Sequence, residues 1–471
     1  MTGALDTQYV AAAWDREALP ALTSFIRIPA KSPSFDPAWA ENGHLDAALE
    51  LGADFCRRLL PEATVSIERQ AGRTPLLFVE LPGSDEAAGT ALIYGHLDKQ
   101  PESRGWSEGL APWEPVIRDG RLYGRGAVDD GYALFSAVVA VASLREAGQR
   151  HPRCVFVVEA CEESGSLDLP AYLDALAGRI GQPGLIVCPD AGCGTYDRLW
   201  CTTSLRGMIT GTLRVDVLSE GVHSGDAGGV VPSSFRLLRR LLSRLEDPDT
   251  GQVLPQLCGV AIPELRRQQA AHAGTVLGEL TRERYPLLRG VGTESAEPAE
   301  RILDRSWRPA LEIVGAEGLP PVEAAGNVLR PFTATKIALR LPPTANAEAV
   351  AEGLQELLTE DPPSGARVAF EPGAVASGWE APEPAPWLSR ALERASCAHF
   401  GAEPVHMGEG GTIPLINWLQ ARFPQADYLV TGVAGPGANA HGPDESLHLD
   451  AARRLTACLG EALHALAARD G

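Results

Sequence analysis

The chain has 471 residues, of which 45% are hydrophobic and 22% are charged, as in an ordinary globular protein. A domain usually contains about 100–200 residues, so we expect more than one hydrophobic core. The formal net charge of −20 argues against nucleic acids and anionic membranes as partners, because their phosphates would repel the protein.

The first twenty residues include Asp6, Asp15, Arg16 and Glu17, which interrupt the apolar run that a signal peptide requires. No stretch approaches the roughly 18 uninterrupted apolar residues of a membrane span. The nine cysteines form no CxxC pair. We therefore expect a cytoplasmic protein with reduced thiols.

Predicted helices and strands alternate through the first part of the chain. Apolar residues at helical spacing predict helices over 45–60, 131–147 and near 168–179. Short apolar runs predict buried strands at Leu76–Leu81, Ala91–Tyr94, Cys154–Val158 and Leu185–Val187. A strand at Tyr428–Val433 and a final helix from about Asp450 follow near the C-terminus. This order predicts an α/β domain with a mostly parallel sheet.

The middle of the chain has a different pattern. Residues 207–218 alternate like a half-exposed strand, and the segment 371–388 is rich in proline and glycine, which predicts a linker. Between them we predict helices at Ser233–Leu245 and Asn346–Leu358, strands at Trp307–Val314, Thr335–Leu341 and Arg367–Phe370, and an extra polar helical segment over 248–306. This order predicts an inserted α+β domain over 207–381, with the α/β domain formed by 1–206 and 382–471.

Acidic and histidine residues follow the predicted strands of the α/β domain, where open α/β sheets gather functional side chains. They are His96 and Asp98 after ALIYG, Glu162 and Glu163 after CVFVVEA, Asp190 after LIVCP, and His441 beyond YLVTGVAG. Asp129 and Asp130 follow the loop GRLYGRGAV and open a predicted helix.

Imidazole and carboxylate groups together suit a pair of divalent cations such as zinc, manganese or cobalt. Of two adjacent glutamates, one can bind metal while its neighbour takes a proton from water. Each feature alone has a simpler interpretation: Asp129-Asp130 could complement a helix dipole, and Glu162-Glu163 could be a solvated turn. His44-Leu45-Asp46 repeats the tripeptide His96–Asp98 at a polar helix start, so we interpret it as surface.

The phrases YGHLDKQP, GRLYGRGAVDD, EACEESGS, PDAG, GVHSGDAGG and GANAHGPDE occur in this order over nearly the whole chain. The set resembles the signatures of the M20 metallopeptidases. The stretch from GHLD to LYGRG, with HSG, the 248–306 segment and EGGTIP, is most similar to the carnosinase-like cytosolic non-specific dipeptidases. The resemblance implies a mostly parallel-sheet di-metal catalytic domain with an inserted ferredoxin-like lid and dimerisation domain.

The resemblance also implies residue roles. His96 and Asp190 would hold one metal ion, Glu163 and His441 the other, and Asp129 would bridge them. Glu162 would be the general base and then acid, and Asp98 would support His96. His223 would stabilise the oxyanion, supplied by the partner subunit in dimeric relatives. Substrate-binding positions would be Asn327, Arg340, Glu409, Gly410, Gly411 and Thr412.

For the residues outside the metal cluster, simpler interpretations stay open. Arg340 could be a surface cation, Asn327 a turn residue, and His223 a loop histidine. The glycines of GEGGT could suggest a phosphate cradle, but no Lys and Ser follow as a nucleotide-binding loop requires.

The expected activity is hydrolysis of a dipeptide amide bond, of α-, β-alanyl or β-aspartyl type, by a homodimer with two divalent ions per subunit. The expected metal is zinc, with manganese or cobalt as alternatives. An N-acyl amino acid amidohydrolase or carboxypeptidase, and a catalytically dead binding scaffold, are the alternative functions. A catalytically dead scaffold should have lost Glu162 or one of the implied metal ligands, but all of these residues are present.

Relatives usually continue GRG..DD with Lys-Gly, whereas this chain has Gly131-Tyr132, which we expect to change the pocket floor.

Overall fold

A computed structural model describes residues 4–85 and 88–469. The described strands are, in chain order, β1 (Thr64–Glu68), β2 (Leu76–Leu81), β3 (Thr90–His96), β4 (Val116–Arg118), β5 (Arg121–Tyr123), β6 (Arg153–Glu159), β7 (Leu185–Cys188), β8 (Trp200–Leu205), β9 (Gly207–Asp216), β10 (Val222–His223), β11 (Ala310–Glu317), β12 (Val328–Leu329), β13 (Phe332–Leu341), β14 (Arg367–Ala376), β15 (Trp379–Glu380), β16 (Val405–Glu409), β17 (Asp427–Val430) and β18 (Ser446–His448).

The described α-helices are α1 (Thr7–Ala13), α2 (Leu19–Ile26), α3 (Trp39–Asn42), α4 (His44–Leu59), α5 (Tyr132–Glu146), α6 (Leu169–Ala175), α7 (Ala177–Ile180), α8 (Ser224–Ala227), α9 (Ser234–Leu242), α10 (Pro255–Cys258), α11 (Glu264–Leu277), α12 (Leu280–Glu283), α13 (Pro298–Ser306), α14 (Ala347–Thr359), α15 (Pro386–His399), α16 (Pro414–Arg422) and α17 (Leu449–Ala468). The chain forms two compact units. The first contains Met1–Thr202, Ala381–His406 and Leu419–Gly471, and the second contains Thr203–Glu380 and Met407–Trp418.

The first unit is built around a six-stranded sheet with the strand order β1-β2-β6-β3-β7-β17. Strands β6, β3, β7 and β17 are parallel, and β2 and β1 add antiparallel strands at one edge. The central strands are buried on both faces, which explains why their sequences are continuous apolar runs. The predicted α/β fold with a mostly parallel sheet is confirmed.

Helix α5 is the central helix of this unit. It is buried along nearly its whole length and packs against α4 and α17. Its apolar sequence therefore has little amphipathic character, as expected for a helix surrounded by other elements. Among the described residues, Ala127–Glu146 is the one helical stretch long and apolar enough to cross a membrane, but here it is a core helix.

The second unit contains a four-stranded antiparallel sheet in the order β11-β13-β9-β14. Residues along β9 alternate between buried and half-buried, so one face of the sheet carries Ile209, Leu213 and Val215 into a core. Helices α9 and α14 cover this face with Leu237 and Leu354. The predicted α+β arrangement is therefore present.

Several predicted boundaries are wrong. The strand predicted at Arg367–Phe370 continues to Ala376, because a register shift between Pro372 and Val375 lets it stay paired with β9 despite the proline. The predicted linker therefore begins later than residue 371. The helix predicted near 168–179 is divided at Leu176 into α6 and α7. Strand β11 begins at Ala310, because Trp307 ends α13 and is buried.

Candidate active site

The predicted metal-binding residues lie at the carboxyl ends of the first unit's parallel strands. His96 is the last residue of β3, and Asp190 lies two residues beyond β7. Glu163 belongs to a single 3₁₀ turn, Glu162–Ser164, that follows β6. Asp129 has non-helical backbone angles within the turn Ala127–Gly131 before α5, and His441 lies in the segment between β17 and β18. The order of the strands thus brings distant parts of the chain to one edge of the sheet.

These five side chains form two groups. In the first group, His96 Nε2 is 3.3 Å from Asp129 Oδ1 and 3.8 Å from Asp190 Oδ2. In the second, His441 Nε2 is 2.8 Å from Asp129 Oδ2 and 3.4 Å from Glu163 Oε2. The ligand atoms within each group lie within 4.8 Å of one another. Asp129 is shared, with one carboxylate oxygen facing each histidine.

The donor chemistry fits two divalent cations. Two imidazoles and three carboxylates are ligands that zinc, manganese and cobalt accept, and a carboxylate can bridge two ions. His96 Nε2 is buried and makes no well-directed hydrogen bond, although Asp129 Oδ1 lies 3.3 Å and Asp190 Oδ2 3.8 Å away. A buried nitrogen of this kind usually has a partner, so the orphan atom indicates a site for a ligand such as a metal ion.

The same geometry shifts the pKa values of the metal-free protein. The hydrogen bond to Asp129 raises the pKa of His441 to about 9. Burial, with the nearby charge of Asp129, raises the pKa of Glu163 to about 8. Burial also raises the pKa of Asp190 well above its usual range. For Asp129, burial acts in the same upward direction, but the imidazoles of His441 and His96 beside its carboxylate outweigh burial and lower the pKa.

Asp98 connects the two halves of the site. Its Oδ1 is 3.4 Å from His96 Nδ1, while the backbone oxygen of Asp98 is closer to that nitrogen, at 3.1 Å. The two carboxylate oxygens also accept the backbone N–H groups of Glu162 (3.1 Å) and Glu163 (3.0 Å). One buried carboxylate thus contacts a predicted metal ligand and orients the turn that carries both glutamates.

Glu162 is the residue that the resemblance implies as the general base. It is adjacent to Glu163 but belongs to neither group of candidate ligands. Burial raises the pKa of its carboxyl to about 7 in the metal-free protein. A carboxylate with a pKa near neutrality can both accept and return a proton at physiological pH.

Several supporting residues escaped sequence reasoning. Asp130 is fully buried, and its Oδ2 accepts the His96 backbone N–H at 3.3 Å. Gln100 Nε2 donates to Glu163 Oε2 at 2.5 Å. Lys99 is fully buried, and its Nζ donates to three backbone oxygens at the end of α2. Gln100 lies close to the HLD tripeptide in the sequence, but the local pattern does not distinguish it from an ordinary surface glutamine.

The substrate-binding positions that the resemblance implies at Arg340 and at Glu409–Thr412 belong to the second unit. Arg340 Nη1 donates to Thr412 Oγ1 at 3.2 Å, and Thr412 Oγ1 donates to the backbone oxygen of Arg206 at 2.5 Å. Glu409 pairs with Arg305 at 2.9 Å. A Cβ added to Gly410 would lie 3.0 Å from the backbone oxygen of Arg305, which is closer than an ordinary contact. Gly411 has open space around it.

This cluster has more guanidinium groups than carboxylates. Burial, with the charges of Arg340 and Arg305, lowers the pKa of Arg206 to about 10. Burial lowers the pKa of Arg340, which has no acidic partner among the described residues. Glu409 offsets one of the three positive charges. The arrangement therefore favours an anionic group as ligand.

His223 and Asn327 are brought together on the second unit. Strand β10 pairs with β12 with His223 opposite Val328, and Ser224 donates its backbone N–H to the Asn327 oxygen at 3.0 Å. Both residues are exposed, and His223 Nδ1 accepts the Gly225 N–H at 3.1 Å. This pair belongs to the second unit, whereas the metal-binding groups belong to the first.

Tyr132, which was expected to change the pocket floor, has a buried side chain. Its hydroxyl donates to the backbone oxygen of Pro189, at the end of β7. The second copy of the tripeptide, His44-Leu45-Asp46, lies at the start of α4. There His44 and Asp46 are half-buried, and Asp46 pairs with Arg69.

Comparison with known proteins gives concordant matches. The model of peptidase family M20/M25/M40 matches residues 92–465. The cysteinylglycine-S-conjugate dipeptidase of Corynebacterium striatum is 31% identical over 364 residues, covering 76% of this chain and 77% of that protein. Human Beta-Ala-His dipeptidase is 30% identical over 199 residues, a match covering 40% of this chain and only 38% of that protein.

Solved structures share the fold over nearly the full length. The crystal structure of human carnosine dipeptidase 1 has a TM-score of 0.76 at 24% identity and covers 98% of both chains. The dipeptidase Dug1p of Saccharomyces cerevisiae has a TM-score of 0.77 at 22% identity, covering 99% of this chain and 98% of that one.

Proposed function

Because the chain belongs to peptidase family M20/M25/M40 and is a metal-dependent peptidase, we propose that it hydrolyses the amide bond of dipeptides. The observation that carries the proposal is the Asp129 carboxylate, whose two oxygens face His96 and His441 separately. Such a shared carboxylate is what a site for two cations requires. The C. striatum relative, which matches over most of both chains, is a dipeptidase by name.

In the proposed site, His96 and Asp190 would hold one ion, Glu163 and His441 would hold the other, and Asp129 would contribute to both. When bound, two divalent ions polarise a carbonyl and lower the pKa of a water molecule. We propose zinc as the native ion, because the nitrogen and oxygen donors suit it, with manganese and cobalt as the alternatives to be tested.

The remaining chemistry belongs to side chains. Glu162 accepts the proton of the attacking water and then delivers it to the leaving amine, for which a pKa near neutrality is suitable. Asp98 keeps Glu162 in place through the backbone hydrogen bond at 3.1 Å. His223 is proposed to stabilise the oxyanion of the tetrahedral intermediate. The geometry within the first unit supports the roles of Glu162 and Asp98, and the family resemblance supports the role of His223.

Recognition of the substrate carboxylate is proposed for the arginine cluster of the second unit. Arg340 has the planar guanidinium that pairs with a carboxylate through two parallel hydrogen bonds. Its lack of an acidic partner among the described residues leaves this capacity free. Glu409, Gly410, Gly411 and Thr412 are proposed to contact the C-terminal part of the substrate, and Asn327 to contribute a further polar contact.

We also propose a homodimer in which the partner supplies His223. The second unit supports this, because β11 is an edge strand of its sheet and exposes the apolar side chains Ile313 and Val314. An exposed apolar edge strand is a favourable surface for pairing between chains. We also propose a reducing compartment such as the cytoplasm, because the cysteines form no disulfide among the described residues.

The deciding experiment measures amino-acid release from α-, β-alanyl and β-aspartyl dipeptides and from N-acyl amino acids. The protein is stripped of metal and reloaded with zinc, manganese or cobalt. We expect the reloaded protein to cleave dipeptides and the metal-free protein to cleave none. Cleavage of N-acyl amino acids alone would identify an amidohydrolase instead. Two bound ions with no cleavage of any substrate would contradict the proposed activity.

A further inference from the structure

Tyr132 links three segments around the proposed metal site. It is the first residue of α5 and is separated from the Asp129-Asp130 pair by Gly131 alone. Its hydroxyl donates to the backbone oxygen of Pro189, and the Val433 backbone is a second hydrogen-bond partner. Pro189 immediately precedes Asp190. One buried hydroxyl therefore joins the start of α5 to the end of β7 and to the segment beyond β17.

The preceding glycine makes this placement possible. A Cβ at Gly131 would overlap the Phe25 ring and would lie 2.6 Å from the backbone oxygen of Gly126. The Gly131 N–H also donates to that oxygen at 3.1 Å. A side chain at position 131 would therefore force the backbone to move. The two departures from the family pattern act together: the glycine lets the first turn pack closely, and the tyrosine reaches the end of β7.

We propose that Tyr132 is a positioning residue that holds the Asp190 carboxylate in place and thereby raises the affinity of the protein for one of its two cations. The inference rests on the proposed metal site. The Pro189 oxygen is buried, so it needs a donor, and without the hydroxyl the end of β7 would rearrange to find one. Asp190 is the adjacent residue, and its Oδ2 lies 3.8 Å from His96 Nε2.

The site shared by Asp129, Glu163 and His441 should depend much less on this hydroxyl. Glu163 is held by Asp98 and Gln100, and His441 by its contact with Asp129. Partners that orient metal ligands typically contribute about 10–100-fold to metal affinity. We therefore expect the substitution Tyr132→Phe to weaken one metal equivalent about 10–100-fold and to leave the other nearly unchanged.

The chain offers a closely matched control. Tyr172 is also buried, its hydroxyl donates to the Thr74 backbone oxygen at 2.8 Å, and it accepts the Gln70 backbone N–H at 2.9 Å. Tyr172→Phe removes the same kind of donor from the same unit, but at a position that touches no candidate ligand. It should lower the thermal midpoint without changing either metal affinity.

The test titrates Zn²⁺ into the metal-free full-length protein in competition with a chromophoric chelator, and compares wild type, Tyr132→Phe and Tyr172→Phe. The Co²⁺ absorption spectrum of each loaded protein provides a second readout. Selective weakening of one equivalent in Tyr132→Phe alone supports the proposal. Equal affinities in wild type and Tyr132→Phe, or equal loss in both variants, would overturn it. A wild-type protein that binds no metal would refute the proposed site itself.

If Tyr132→Phe does not fold, the same question is answered in protein that keeps the hydroxyl. A 3-fluorotyrosine is incorporated at position 132 and its ¹⁹F resonance is followed during the Zn²⁺ titration. The resonance should shift with only one of the two equivalents. A resonance that is insensitive to both would show that the hydroxyl is not coupled to the metal site.

Discussion

The Arg125 guanidinium and the Glu445 carboxylate form a fully buried ion pair at 2.6 Å, and this pair connects the segments that carry Asp129 and His441. Glu445 Oε1 accepts the backbone N–H groups of Gly126 and Val128, just before Asp129. Arg125 Nη2 donates to the backbone oxygen of Gly442, just after His441. The second group of candidate ligands thus depends on a contact between residues 320 positions apart.

Replacing Glu445 with Ala should destabilise the protein by about 3–5 kcal/mol, because a buried guanidinium would lose its counter-charge. Metal affinity should fall as well, since Gly126 and Val128 lose their acceptor. Urea unfolding and a zinc titration measure the two effects. The control is Asp85→Ala, which breaks the half-exposed pair with Arg150 and should cost below about 0.5 kcal/mol. Similar losses in both variants would contradict the assigned role.

Replacing Glu162 with Gln should leave two metal ions bound and reduce kcat about 10²–10⁴-fold, because proton transfer is lost but no ligand is. In the wild type, the pKa of Glu162, about 7 before metal binds, predicts that kcat/KM falls as the pH decreases through or below this value. The variant's residual activity should lack this acidic limb. Glu163→Gln is the matched control and should lose metal instead. A Glu162→Gln enzyme with near-normal kcat would refute the proposed base.

Metal binding should release protons at pH 7. His441, with a pKa of about 9, and Glu163, with a pKa of about 8, both carry a proton at that pH in the metal-free protein. A metal ion needs the deprotonated forms, so its apparent affinity should decrease as the pH decreases. Titration with zinc in a weakly buffered indicator solution measures the release, and His441→Ala should release less. Binding without proton release at pH 7 would disprove this expectation.

Replacing Arg340 with Lys should raise KM for a dipeptide about 10-fold or more, because an ammonium cannot make two parallel hydrogen bonds to a carboxylate. kcat should change much less. The same peptide with a C-terminal amide separates this effect from general damage, since its KM should not depend on Arg340. Arg367→Lys, at a position 82% exposed in the same unit, is the neutral control. An equal change for acid and amide would exclude carboxylate recognition.

Replacing Val314 with Arg should dissociate the proposed dimer, because it puts a charge on the exposed apolar edge of β11. Val314 is 59% exposed in the single chain, and Leu288, at 78%, offers a control outside the sheet. Sedimentation velocity should show a monomer for Val314→Arg and a dimer for Leu288→Arg. Activity should fall with dissociation if His223 acts in the partner's site. A monomeric wild type would rule out the dimer, and a fully active monomer would rule out His223 in trans.

The sequence was most informative where local patterns carry the information. His96, Glu163 and Asp190 follow buried apolar runs, and the carboxyl ends of parallel strands meet at one edge of a sheet, so their convergence could be predicted. The apolar runs reflect burial on both faces, which depends only on neighbouring residues along a strand. For the same reason, most predicted helices and strands lie within a few residues of the observed ones.

Only the tertiary structure decided which distant groups meet. Three contacts depend on segments that are far apart in the chain. They are the ion pair of Arg125, the hydrogen bond from Tyr132 to Pro189, and the pairing of β14 beyond Pro372. The hydrophobic periodicity of a segment indicates which of its residues are buried, but not which residues of other segments they contact. Those contacts form only when separate helices and strands pack together. The sequence by itself therefore determined the chemistry of the proposed ligands, and packing between distant segments determined the contacts that hold those ligands in place.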